Sequence, residues 1–136
     1  YVHSKYKNLI SDLTGDFIID ALDYALEVPR AAPLTYSLGF NIDGNLGTWR
    51  SITRISYYHR DKSYYNENNQ GFINEQDILN FGYDIYSSDG KINIGIYGKN
   101  LSNEVKHGGD TNLSFGGTFA PLAKGKIVGA EVVYKF

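Results

Sequence analysis

Cysteine is absent from the 136 residues, so there is no disulfide framework, no thiol nucleophile and no cysteine-ligated zinc. Long apolar runs are absent too. No stretch approaches the ~20 residues of a spanning helix, which excludes helical membrane insertion. Neither charge is in excess, with Lys+Arg 13 against Asp+Glu 15, so the chain offers nucleic acid no basic stripe and carries no acidic tail. The opening "YVHSKYK" has no starting methionine and no apolar leader, and it reads as a piece of something longer.

Catalytic arrangements are missing as well. No Ser-His-Asp order or paired buried carboxylate is recognisable, so the chain is not expected to be an enzyme and no catalytic residue is named. His3, His59 and His107 lie on different segments without ligand spacing, and no metal site is expected. Asp12, Asp16, Asp20 and Asp23 lack the pattern of a calcium loop and read as a solvated acidic loop. The glycine-rich stretch "GGDTNLSFGGTFAPLAKGKIVG" fails as a phosphate loop, because Ala120 stands at the first glycine position and Ile127 follows Gly125 and Lys126. It reads as an extended outer loop, and no cofactor is expected.

Tyrosine and glycine are plentiful, at 12 and 15 residues, which points to strands. Period-two alternation along the chain agrees with this reading. Tyr36, Leu38, Phe40 and Ile42 share one face of "TYSLGFNI". Trp49, Ser51, Thr53, Ile55 and Tyr57 share one face of "TWRSITRISYY", and Leu79, Phe81, Tyr83 and Ile85 one face of "ILNFGYDIY". Ile92, Ile94 and Ile96 do so in "KINIGIYGK", and Val128, Ala130, Val132, Tyr134 and Phe136 in "VGAEVVYKF". With the weaker "YVHSKYKN" this makes about six strands. Arg50, Arg54, Asp84, Lys91, Lys99, Glu131 and Lys135 all fall on the opposite parity, an agreement with odds of roughly one in sixty-four if each charge chose its face freely. One face excludes charge.

Short Gly/Asp turns at "DGNLG" and "SSDG" alternate with three long connections, from about Ile10 to Pro33, His59 to Glu75 and Ser102 to Gly125. The first of these holds a helical turn over Asp20 to Leu26. Short turns on one side and long loops on the other are the rhythm of a membrane β-barrel, with the long loops outside. The runs also suit the ~9 to 11 residues of a bilayer-crossing strand better than the ~5 to 6 of a soluble one. Trp49 and Tyr134 fall near the periplasmic strand ends and Tyr36 and Tyr57 near the outer ends, as interfacial aromatics do, while Phe81 and Tyr83 lie nearer the middle. The expected fold is therefore all-β, an antiparallel up-and-down meander of about six strands over residues 1–136, an incomplete segment of a large transmembrane β-barrel.

These residues resemble the C-terminal part of the β-barrel of TonB-dependent outer-membrane receptors. "VPRAAPLTYSLGF" resembles the entry to a late barrel strand, and "DGKINIGIYGKNLSNEV" the penultimate strand with the family's Asn-Leu signature, here Asn100 and Leu101. "IVGAEVVYKF" resembles the closing strand, with Phe136, Tyr134, Val132, Ala130 and Val128 as the terminal signal of outer-membrane proteins. The resemblance implies a plugged barrel of about 22 strands in the bacterial outer membrane. It implies import of a scarce nutrient, such as an iron chelate, cobalamin or an oligosaccharide, powered through TonB. The implied partners are outer-membrane lipid, the protein's own plug domain, TonB and a small-molecule ligand. The plug, the TonB box and the earlier strands are not among these residues. A passive outer-membrane channel is the alternative, and a soluble carbohydrate-binding β-sandwich a further one.

If Phe136 is periplasmic, the loop "SYYNENNQG" is outside. Tyr64, Tyr65, Asn66, Asn68, Asn69 and Gln70 are then ligand-contact candidates, offering stacking faces and amides, against the plainer reading of a solvated loop rich in turn formers. Gly39, Gly82, Gly95 and Gly129 lie on the inward face, where they either admit the plug's backbone or ease strand coiling. Arg50 and Arg54 share that face and either attract an anionic ligand or pair with carboxylates of wall or plug.

Overall fold

The computed structural model describes residues 1–107, 111–112 and 118–136. Among them lie a helical turn, α1 (Ala21–Tyr24), and nine strands. The strands are β1 (Thr35–Leu46), β2 (Trp49–Arg60), β3 (Ser63–Tyr64), β4 (Phe72–Ile73), β5 (Gln76–Tyr86), β6 (Ile92–Lys99), β7 (Thr111–Asn112), β8 (Thr118–Phe119) and β9 (Ile127–Tyr134). The chain divides into two compact units. One comprises Tyr36–His59, Asp77–Val105 and Lys124–Phe136, the other Tyr1–Thr35, Arg60–Gln76 and Lys106–Ala123.

The first unit is an open antiparallel sheet in the order β1-β2-β5-β6-β9, an up-and-down meander that does not close. The five clear alternating runs are its five strands. The weaker opening run, "YVHSKYKN", forms no strand, and Val2 N–H is donated instead to Pro33 O at 2.8 Å. β1 and β2 have 12 residues each and β5 has 11, whereas β6 and β9 have 8. Lys135 N–H carries the β6–β9 ladder one step further by bonding Lys91 O at 2.9 Å.

Turn chemistry explains the short connections. β1 runs to Leu46, so the turn to β2 is tighter than the "DGNLG" stretch alone implies, and Gly47 takes φ 62°, a left-handed conformation that costs glycine nothing. Between β5 and β6, Gly90 takes φ 70°. There the Asp89 carboxylate accepts from Ser87 Oγ at 2.5 Å and Lys91 N at 3.0 Å. The Ser87 hydroxyl, first, then the Lys91 amide hold this carboxyl below the usual range.

Register follows parity. Tyr83 faces Ile96 and Ile85 faces Ile94 across β5–β6, while Ile94 faces Val132 and Ile96 faces Ala130 across β6–β9. On the opposite parity Asp84 faces Gly95, Gly95 faces Glu131 and Tyr97 faces Gly129. A one-residue slip would exchange the faces of a whole strand. The apolar parity is nevertheless uncovered: Leu38, Phe40, Ile42, Ile96 and Val128 are exposed, and Val132 is 70% exposed. Among the described residues only one hydrophobic side chain is buried, Ile73 at 6%.

The second unit gathers the three long connections. Its first segment is organised by carboxylates. Asp12 accepts from Gly15 N at 2.7 Å, Phe17 N at 2.6 Å and Thr14 Oγ1 at 3.1 Å. Asp23, with no exposed surface, accepts from Leu13 N at 2.8 Å, Thr14 N at 3.0 Å and Asp20 N at 2.9 Å. Asp20 in turn caps α1 by accepting from Leu22 N at 2.7 Å, completing a capping box with Asp23. These are structural turn anchors, which is more than a solvated acidic loop supplies. The first and second connections are joined by Arg30 N–H to Tyr64 O at 2.7 Å and Asp61 N–H to Leu34 O at 2.9 Å. The third joins them through Lys106 and Glu75, 3.5 Å apart, and the ring of His107 against Phe72, 5.1 Å between centroids. Part of the glycine-rich "GGDTNLSFGG" reading lies outside the described residues.

Candidate functional site

The polar parity of the sheet holds a hollow of about 640 Å³, whose lining includes Asn41, Arg54, Asp84, Tyr97, Lys99 and Glu131. Arg54 forms an ion pair with Asp84 across β2 and β5, with Asp84 15% exposed and Arg54 50%. Arg50 pairs with Asp43, its Nε 3.1 Å from both carboxylate oxygens. Both arginines therefore answer to carboxylates of the same sheet, one of the two alternatives the sequence left open. Ser56 Oγ accepts from Asn80 Nδ2 at 3.2 Å.

Three of the four polar-face glycines are covered by side chains of the neighbouring strand. A Cβ on Gly82 would stand 3.7 Å from Arg54 Nε, one on Gly95 2.6 Å from Asp84 Oδ1, and one on Gly129 2.6 Å from the Tyr97 ring. Only Gly39 has no side chain near it, its closest atom being Ile55 O at 3.9 Å. Large side chain and glycine thus alternate across the sheet, each of the three glycines making room for a residue of the strand before it. Parity placed these glycines on one face. It carried no sign of which side chain covers each.

The apolar parity ends in a polar cluster at one end of β1, β2 and β5. Tyr57 Oη and His59 Nδ1 both meet Asp77 Oδ1, the latter at 2.8 Å, and Tyr36 stacks on His59 at 4.9 Å between centroids. Tyr36 and Tyr57 were legible as strand-end aromatics. His59 and Asp77 were not, because each lies just beyond the alternating runs. At the other end of this face Tyr134 and Phe136 meet edge to face, 5.2 Å apart, with Val132 and Val128 exposed on the same parity and Ala130 opposite Ile96.

The Asn-Leu pair lies in a turn that ends β6. Asn100 is 8% exposed and left-handed at φ 50°. Its Nδ2 donates to Glu104 O at 3.0 Å and Lys124 O at 2.8 Å, its Oδ1 accepts from Glu104 N at 2.9 Å, and its backbone N–H goes to Asn80 Oδ1 at 3.0 Å. Leu101 bonds Leu79 O through its N–H at 2.7 Å and lies over Gly98, where a Cβ would come within 2.5 Å of it.

In the second unit, the ligand-contact candidates are largely engaged with their own loop. Asn69, left-handed at φ 55°, pairs its amide with the backbone of Glu27, Oδ1 accepting from Glu27 N at 2.7 Å and Nδ2 donating to Glu27 O at 2.9 Å. Asn66 Oδ1 accepts from Gly71 N at 3.1 Å and Asn68 Oδ1 from Gln70 N at 3.2 Å. Lys62 lies over the Tyr64 ring at 5.0 Å and over Phe72 at 4.5 Å, and Arg30 lies over the Tyr65 ring at 4.8 Å. Gln70 is exposed. The asparagines therefore build the loop, while the two tyrosines and Gln70 keep surface to offer. No group of His, Asp or Glu among the described residues is arranged to hold a metal ion. No protein-family model, curated protein or solved structure matches the chain.

Proposed function

We propose that the chain is a C-terminal segment of the barrel of a TonB-dependent outer-membrane transporter, importing a nutrient such as an iron chelate, cobalamin or an oligosaccharide. The observation that carries this reading is the open meander whose apolar face, with Asp77 its one carboxylate and placed at the strand end, is exposed on β1, β6 and β9, with Ile73 alone as a buried hydrophobe among the described residues. A sheet in water hides such a face against a second layer; lipid makes the second layer unnecessary. On this reading the apolar parity meets acyl chains, and the polar parity faces a lumen that a plug domain fills. Tyr64, Tyr65 and Gln70 contact ligand from an outer loop. The protein binds and gates, breaking no bond. Energy comes from TonB, acting on the plug.

The test uses the full-length protein in outer membranes. Uptake of a candidate chelate or sugar that stops when TonB is deleted supports the reading, whereas TonB-independent passage points to a passive channel. Removing residues 64–70 should weaken ligand binding at least about tenfold if these side chains make two or more of its contacts. Unchanged affinity removes the loop from the site.

A further inference from the structure

β6 and β9 pair over eight positions, from Ile92 with Tyr134 to Lys99 with Ile127, yet no short turn fixes their register. Residues 100 to 126 intervene, too many for the closure itself to choose a pairing. Parity excludes a slip of one residue, and against a slip of two the paired strands themselves offer only the fit of the Tyr97 ring over Gly129. Sliding β9 by two places Ile94 and Ile96 against other members of the Val128, Ala130, Val132 and Tyr134 row, all of them compatible with an apolar face. A single exposed ring over one glycine leaves the pairing short of fixed, and a second device has to complete it.

We propose that the Asn100–Asn103 turn is a register lock for β9, acting at the neck of the long connection. Asn100 Nδ2 holds Lys124 O at 2.8 Å and Asn103 Oδ1 holds Lys126 N at 3.0 Å, gripping both residues that flank Gly125 just before β9 begins. The grip is rigid. Both asparagines are left-handed, at φ 50° and 57°, and Asn103 N–H bonds Asn100 O at 2.9 Å. Gly125 leaves the space needed, since a Cβ there would stand 3.1 Å from both Asn103 Oδ1 and Val105 Cγ2. The same turn is fastened to β5 through Leu101 N–H to Leu79 O at 2.7 Å and Leu79 N–H to Ser102 Oγ at 3.2 Å. The lock thus refers the start of β9 to two strands at once. It gives a long connection the pairing certainty of a tight hairpin, leaving the residues beyond the neck free to vary without moving the strand.

Cysteine pairs read the register directly, because these 136 residues contain no cysteine of their own. In the full-length protein, Ile96→Cys with Ala130→Cys reports the observed pairing, and Ile96→Cys with Val128→Cys or Val132→Cys reports a slip of two. The expected result for Asn100→Ala is a rise of about tenfold or more in the ratio of slipped to native cross-link, with a smaller rise for Asn100→Asp, which keeps the acceptor oxygens and loses the two donors. A folded Asn100→Ala protein that forms only the native cross-link overturns the proposal. If Asn100→Ala does not fold, a preformed disulfide in the Ile96→Cys, Ala130→Cys background should restore folding by imposing the register. Failure of that rescue also overturns it.

Discussion

The end of the Tyr97 ring lies over Gly129, 2.6 Å from the ideal Cβ position, so any side chain there has to push the exposed ring aside. Gly129→Val should therefore cost no more than about 1 kcal/mol, the lower end of an overpacked contact, and much of that cost should vanish in a Tyr97→Ala background. Urea midpoints of the four proteins of that cycle, measured in detergent, check the coupling. The neighbouring ion pair is a weak device too: with Arg54 half exposed, a double-mutant cycle on Arg54→Ala and Asp84→Ala should return no more than about 1 kcal/mol. Asp23 differs from both in what it holds. Its carboxylate accepts from Asp20, Leu13 and Thr14 amides, and these hydrogen bonds keep its carboxyl below the usual range, outweighing the effect of burial. A depressed folded pKa means that its contribution is complete above the unfolded value of about 3.9 and declines as pH falls from there through the lower folded value. Limited proteolysis should accordingly show the segment around residues 11–24 opening in that acid window, and Asp23→Asn should open it at neutral pH.

Loops are commonly treated as fillers between strands, and Asn69 argues otherwise for the connection it serves. Its amide reproduces the donor and acceptor of a peptide group against Glu27, so two connections distant in sequence are stitched as strands would be. Asn69→Ala should loosen that stitch by roughly 1–2 kcal/mol, while Asn69→Gly, which recovers the left-handed φ but not the amide, should recover only part of it. Amide exchange at Glu27 distinguishes the two. None of this was legible beforehand, because an asparagine in "NENNQG" signals a turn and does not name a partner 42 residues away. The capping of α1 was closer to the surface of the sequence: Asp20 precedes an Ala-Leu run, and the helical turn forms within the expected span, over Ala21–Tyr24. The end of β6 was readable, since the run "KINIGIYGK" stops at Lys99 as the strand does, but what ends it was not. Nothing in the letters after Lys99 shows that Asn100 turns the backbone and spends its amide on the neck.

Across the whole molecule the strand pattern was the most readable feature, because alternation records burial by parity and needs no long-range information. The pairing of Ile94 with Val132 and of Gly95 with Glu131 keeps each parity together once the strands are neighbours. That arrangement also gives the membrane reading its sharpest test. Val132→Lys places a charge on the apolar parity and should cost roughly 2–4 kcal/mol in lipid vesicles, while Glu131→Lys, one residue away on the other parity, should cost much less. Equal costs would assign both faces to water. The near absence of buried hydrophobes carries a thermal consequence as well. Heat capacity rises on unfolding because apolar groups pass from a dry interior into water, and here most apolar side chains of the described residues are half-buried or exposed, Ile73 alone being buried. In detergent, which coats the apolar row in either state, calorimetry should give an increment well below the ~12–15 cal/mol/K per residue of water-soluble domains. The stability curve would then be flatter, its dome broader and its cold limb pushed to lower temperature.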